Sequence, residues 1–375
     1  MNFNFTEEQR QLSDALRRYL DKNYGFEARQ AIVTTPAGVS DQHWKAFVAL
    51  GLTALSVPVE QGGFDGAPFD MLVVMQELGR ALVIEPYWAT AVSVEALKLA
   101  GGATNAQNAA LLERVASGEI KLATAFHEPK SRYDLFTLNT QARETADGFA
   151  LTGTKSVVQH GAQADYWIVP ASFGGDAAFF VVARNAKGVE VSDYRTIDGQ
   201  RAATLTFKEA HGRSLGNTNI GAATLEKVAD YATFLLCAEA VGAMDALNHA
   251  TVEYTKARQQ FGGPIARFQA LQHRIAEMLI HSEQARSLTY LAAARYGSDS
   301  ADERRRAISA AKVRVGQAAR FIGQQAVQLH GGMGVANEVA AAHLFKRLTI
   351  VETTLGDVDH HLERFASLPS FVRGS

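Results

Sequence analysis

Hydrophobic and polar positions change rhythm twice along the chain, dividing it into three segments. Through the first 120 residues apolar side chains recur at helical spacing. Thr6 and Gln9 carry the pattern of a capping box, and Leu12, Leu16, Tyr19 and Leu20 follow at helical spacing. A loop with Gly51, Gly62, Gly63 and Gly66 precedes helices expected at 71–82, 91–100 and 105–116. Glu77 and Arg80 read as an exposed i,i+3 pair. From Lys121 the runs become short and apolar or alternating, at 121–126, 149–152, 166–171, 177–183 and 202–207, with Gly, Asp and Asn between them. That texture predicts strands joined by hairpins. Helical periodicity returns at Asn219 and persists to about 366, with a long helix at 304–329. The expected class is α+β, with a helical domain at 1–120, a β domain at 121–218 and a second helical domain at 219–375.

The stretch 231–278 organises the last segment. It predicts a long apolar helix, a polar tail ending at Arg258, a break at Gly262, Gly263 and Pro264, and a second helix. Between 232 and 244 the only charged residue is Glu239. A carboxylate in so apolar a run is costly to bury unless it is paired or used in chemistry. Arg258 and Phe261 place a cation and an aromatic at the mouth of a glycine turn, an arrangement suited to a planar anionic ligand.

Composition narrows the classes. The chain has 375 residues, is 47% hydrophobic and 20% charged, and carries a net charge of −2. Those values suit an ordinary globular protein with two or three cores and offer nothing to nucleic acid or an anionic membrane. No run of about 18 apolar residues is present, so no membrane span is expected. The lone Cys237 excludes an internal disulfide framework. With no basic-then-apolar leader in the opening residues, a cytoplasmic location is expected.

At 254–262 (YTKARQQFG), 268–274 (FQALQHR), 237–244 (CAEAVGAM) and 355–362 (LGDVDHHL) the chain resembles the acyl-CoA dehydrogenase family. Within it, the likeness is strongest to small subunits of two-subunit members, of the pimeloyl-CoA and steroid side-chain type. The resemblance spans nearly the whole chain. It implies an N-terminal helical domain, a middle antiparallel β domain and a C-terminal four-helix bundle. It also implies FAD as cofactor, an acyl-CoA substrate and an electron-transfer flavoprotein as acceptor. The assembly implied is a homodimer, a homotetramer or an α2β2 complex with a homologous chain. The reaction removes the proton α to the thioester carbonyl while the β-hydride passes to the flavin.

The resemblance assigns residues one by one. The turn at 328–334 (QLHGGMG) matches the family's Gln-x-x-Gly-Gly-x-Gly, so Gln328, Gly331 and Gly332 are expected at the adenine-diphosphate half of FAD, where glycine lets backbone approach phosphate. Arg258, Phe261 and Gln269 are expected on the same cofactor, held by a neighbouring subunit. Two segments depart from the pattern. Where the family reads Thr-Glu-Pro-Gly-Ala-Gly-Ser-Asp, residues 127–134 read HEPKSRYD, and where it reads Trp-Ile-Thr, residues 157–159 are Val, Val and Gln. Arg132, Tyr133 and Gln159 then either bond to flavin or fill space where none binds, and His127 is expected among the cofactor contacts. The family's usual base position holds Leu355, and a second family position holds Ala232. Glu239, seven residues beyond Ala232, is the candidate base; the alternative is a structural carboxylate paired with an arginine. Asp357 and Asp359 read as residues that cap a helix or face solvent, with a role as base kept as their alternative.

Other readings of function remain open. The chain can be a non-catalytic partner that completes another subunit's site, or a flavin monooxygenase on the same fold. Three motifs are set aside. Residues 212–216 (GRSLG) match a serine-hydrolase elbow without its strand-to-helix setting. His360 and His361 point to different helix faces, so no metal is expected. Arg304, Arg305 and Arg306 read as a solvated helix start.

Overall fold

The computed structural model describes residues 5–101, 105–216 and 221–368; the expected domain boundary at 218 lies outside them. The order is helical, then β, then helical. The elements are α1 (Glu7–Asn23), α2 (Phe26–Thr34), α3 (Asp41–Ala49), α4 (Pro68–Arg80), α5 (Tyr87–Gly101) and α6 (Ala106–Ala116). Seven strands follow: β1 (Leu122–Thr124), β2 (Gln141–Thr145), β3 (Gly148–Gln159), β4 (Tyr166–Phe173), β5 (Asp176–Ala183), β6 (Val189–Arg195) and β7 (Arg201–Ser214). Then come α7 (Gly221–Ala257), a short hairpin of β8 (Gln259–Gln260) and β9 (Gly263–Pro264), α8 (Gln269–Tyr296), α9 (Ala301–His330), α10 (Ala340–Thr353) and α11 (Val358–Ala366).

By contacts the chain forms two compact units. One contains 1–30, 68–83 and 233–375, and the other 31–67 and 84–232. In the second unit the seven strands make one sheet in which β3 and β7 pair antiparallel through most of their length. Alternate side chains of these strands, with Leu151, Trp167, Phe180, Val182, Leu205 and Phe207, meet in one buried cluster. Trp167 Nε1 donates to Gly161 O at 2.7 Å, so its one polar group is satisfied inside that core.

In the first unit α1 packs on α4, α4 on α8, and α9 against α8, α10 and α11. The capping box forms: Gln9 N–H donates to Thr6 Oγ1 at 3.2 Å and Thr6 N–H to Gln9 Oε1 at 3.0 Å. Two readings of charge are corrected. Glu77 is buried at 4% exposure and held by Arg17 from α1 at 2.6 Å as well as by Arg80 at 2.8 Å. It is therefore a bolt between α1 and α4 rather than a surface pair. Arg304 is likewise buried at the start of α9, where a solvated run was expected. The first was read from i,i+3 spacing and the second from a short basic run, and both are local patterns that do not report what packs against the residue.

Candidate active site

Glu239 sits where α7 meets α4 backbone to backbone. A Cβ placed on Gly79 would lie 1.9 Å from Glu239 O, and one on Gly242 would lie 1.8 Å from Gln76 O. Only glycine allows that approach at both positions, and the small residues of 237–243 extend it. The Glu239 side chain is buried and both its oxygens are occupied. Arg347 on α10 donates from Nε to Oε1 at 2.6 Å and from Nη2 to Oε2 at 2.7 Å. This is the bidentate geometry of a strong charge-assisted pair. To accept a proton from substrate, Glu239 would have to give up part of it.

Leu355 stands in the turn between α10 and α11. It is buried and holds φ at 57°, in the left-handed region that a branched side chain seldom adopts, with Gly356 next at φ 112°. Buried groups surround the turn. Lys312 Nζ, from α9, donates to Glu352 O at 2.8 Å and to Gly356 O at 2.6 Å. His361 Nε2 donates to Leu355 O at 3.0 Å. Burial pushes the Lys312 ammonium down to about 8, against the opposing pull of Cys237, Glu352 and Asp357. Burial, then the Lys312 charge, holds His361 neutral well below the usual histidine range. Asp357 caps α11, accepting from His360 N–H at 2.9 Å.

The segments expected at the cofactor lie side by side. Tyr254 Oη donates to His330 O at 3.1 Å, and the two rings stack at 4.4 Å between centroids. That contact sets the end of α7 against the turn that follows α9. Phe261 is 81% exposed, and Arg258, Gln269, Gln328, Gly331 and Gly332 are exposed as well. The Arg258, Gln269 and Gln328 side chains make no hydrogen bond among the described residues. A Cβ on Gly331 or Gly332 would meet nothing within 4 Å. A guanidinium, two amides and open glycine backbone fit the anionic diphosphate half of FAD.

In the sheet-containing unit, Glu128 anchors the loop that carries His127 and Tyr133. Its carboxylate accepts from Asn139 N–H at 2.7 Å, Thr140 N–H at 3.0 Å and the buried Lys155 Nζ at 2.8 Å. His127 O accepts from Ser156 N–H at 2.8 Å, which fixes the loop along β3. Burial, then the Lys155 charge, lowers the His127 pKa. Lys130 and Arg132 occupy the family's two glycine positions and keep glycine-like backbone, at φ 68° and 52°. The Arg132 guanidinium lies 5.7 Å from the Tyr133 ring centroid. A bulge in β3 turns Val157 out to 48% exposure, and Gln159 is half-buried beyond it. The left-handed strain gives a direct expectation. Lys130→Gly should raise stability by about 0.5–1 kcal/mol, relief of strain exceeding the added freedom of the unfolded chain. A denaturant midpoint checks it, and a fall would place the cost elsewhere.

Two residues that now matter had weak signals. Lys312 falls four residues after Ile308 on the apolar stripe of α9, and Arg347 lies beside Leu344 and Leu348. A cation on an apolar stripe is the trace that each left.

The comparisons with known proteins agree with this geometry. Models of the acyl-CoA dehydrogenase N-terminal, middle and C-terminal domains match residues 6–119, 123–210 and 219–367. "Acyl-CoA dehydrogenase IpdE2" of Mycolicibacterium smegmatis is 28% identical over 364 residues, covering 96% of this chain and 98% of that protein. The ChsE4-ChsE5 complex from Mycobacterium tuberculosis superposes at a TM-score of 0.90 with 25% identity, covering 99% of this chain and 100% of the other. A variant of the Tcur3481-Tcur3483 steroid ACAD superposes at 0.89 with 26% identity, covering 96% and 97%. Helical, β and helical segments in this order, matched by all three domain models, place the chain in the acyl-CoA dehydrogenase family, whose members are FAD-dependent oxidoreductases.

Proposed function

We propose that the chain is a subunit of a cytoplasmic two-chain acyl-CoA dehydrogenase. The assembly introduces an α,β double bond into a CoA thioester and passes the electrons to an electron-transfer flavoprotein. The observation that carries this reading is the exposed donor set of Arg258, Gln269, Gln328 and the 331–332 backbone. It is directed away from the chain's own core and suits the cofactor of a neighbouring subunit. Bound FAD would supply the acceptor for the β-hydride. This chain's contributions are to bind the diphosphate through that set and to hold the thioester oxygen at the Leu355 N–H. The ChsE4-ChsE5 and Tcur3481-Tcur3483 likenesses support a related partner chain and a steroid-derived acyl group.

The source of the base separates two readings. Leu355 has no proton-accepting group, and Glu239 is held at both oxygens by Arg347. That pairing favours a base contributed by the related chain. The second reading keeps Glu239 as the base, because it is the only charged residue in 232–244 and lies two turns from Ala232.

The visible spectrum of the chain, alone and co-expressed with a related subunit, tests both. A flavin band is expected in the pair, bleached anaerobically by acyl-CoA and still bleached in Glu239→Gln. Loss of bleaching in Glu239→Gln with FAD retained would install Glu239 as the base. A pair without flavin would sink the proposal.

A further inference from the structure

The turn at 354–357 has features that its place between two helices does not require. Leu355 is buried in a left-handed conformation that costs about 1–2 kcal/mol for a residue with a side chain. Gly356, also buried, admits no side chain, since a Cβ would lie 2.5 Å from His360 Cδ2 and 2.7 Å from His361 Nε2. Among the described residues, neither the Leu355 N–H nor the Gly356 N–H has a hydrogen-bond partner. Two successive buried N–H groups without partners are rare. Successive N–H groups with a left-handed residue between them form a concavity that binds anions or polarised carbonyl oxygens.

The carbonyls of Leu355 and Gly356, and that of Glu352 at the end of α10, are taken. Glu352 O and Gly356 O accept from Lys312 Nζ, and Leu355 O accepts from His361 Nε2. Lys312 and His361 are 1% and 2% exposed, and they reach the turn from different helices. His361 Nδ1 lies 3.4 Å from Ser309 Oγ, which also accepts from Arg364 Nη1 at 3.3 Å. The imidazole is thus braced from behind. Strain persists where surrounding structure over-determines it, and here three hydrogen bonds from two buried side chains do so.

We infer that Lys312 and His361 are positioning residues, which lock the Leu355–Gly356 turn so that its two N–H groups point at the thioester oxygen. The inference rests on the dehydrogenase reading above. It adds that the polarising geometry is set from α9 and α11, through carbonyls that never touch substrate. Lys312 bridges two carbonyls four residues apart, tying the last turn of α10 to Gly356.

The test uses the full chain with its co-expressed partner. In Lys312→Met, amide hydrogen exchange across 354–357 should quicken by about tenfold or more, the equivalent of one charge-assisted hydrogen bond. In the same variant, kcat with an acyl-CoA panel of butyryl-, octanoyl-, palmitoyl- and steroid side-chain CoA should fall by about 100-fold, as on losing an oxyanion donor. KM should stay within about threefold and FAD content should be unchanged. His361→Ala should repeat the pattern more weakly, and His361→Gln, which keeps a donor for Leu355 O, should restore kcat. The His361 pair decides the matter if Lys312→Met does not fold.

Unchanged exchange at 354–357 in the variants would overturn the inference. So would kcat and KM moving together with loss of FAD, the mark of a merely structural role. Failure of the unmodified pair to bleach with any member of the panel is a separate result. It would remove the dehydrogenase reading, and the catalytic role of the clamp with it, whatever the exchange shows.

Discussion

Arg347→Met is expected to destabilise the protein by about 3–5 kcal/mol, the cost of leaving a buried carboxylate without its cation. The Glu239–Arg347 pair is 7% and 4% exposed at its side chains, so solvent screening offers little relief. The double variant Glu239→Leu, Arg347→Met should recover most of the loss, since apolar residues of similar size often replace a buried pair without penalty. Chemical denaturation of the four proteins of the cycle measures the coupling. A single-variant cost under about 1.5 kcal/mol, with no coupling, would mean that the pair opens readily. Glu239 would then be free to act as a base, and the second reading of function would gain.

Lys155→Met should cost a similar 3–5 kcal/mol, for the same reason, in the other compact unit. Lys155 and Glu128 are 0% and 3% exposed at their side chains, and Glu128 ties down the far end of its loop through Asn139 and Thr140. Removing the ammonium should therefore free the segment with His127, Lys130, Arg132 and Tyr133 before the sheet is disturbed. Limited proteolysis within 129–138, alongside the denaturation midpoint, checks both parts. Cleavage no faster than in the unmodified chain would show that the two backbone N–H groups anchor the loop alone.

The same pair predicts a pH dependence. Burial brings the Lys155 pKa down to about 8, while Glu128 pulls the other way. The unfolded ammonium keeps its proton to about 10.4. Unfolding then takes up a proton above pH 8, so stability rises with pH there, by at most about 1.4 kcal/mol per unit for each such lysine. Lys312, also at about 8, acts in the same direction. Above pH 9 the Cys237 thiol, pushed up to about 12 by burial, opposes them, because it ionises only on unfolding. Between pH 8 and 9 the slope should be positive and should fall by about half in Lys155→Met.

Much of the architecture was legible in the chain. The capping box at Thr6 and Gln9, the rhythm of 304–329 and the alternating runs from 121 to 207 are local patterns, and local hydrogen bonding and one-sided burial produce them directly. The match of 328–334 and 254–262 to a family pattern was legible for a similar reason: glycine turns and their flanking polar residues are continuous in sequence. The departures were legible too. Leu355 could be recognised as an impossible base from its identity alone, and Lys130 and Arg132 as intruders at glycine positions.

The order of the elements, their class, and which residue types stand at the family's positions could all be read along the chain. What each charge does depends on which helices pack together. Glu239 was an isolated carboxylate in an apolar helix until α10 brought Arg347 to it from 108 residues away. Glu77 was a surface residue until α1 supplied Arg17 from 60 residues away. Lys312 was one lysine in a long helix until the 354–357 turn closed over it, with its carbonyl partners 40 and 44 residues distant. Periodicity reports which face of a helix is buried, because burial depends on spacing along one axis. It does not report what lies across that face. A buried charge has its meaning set by its partner, and the partner is chosen by how the helices cross.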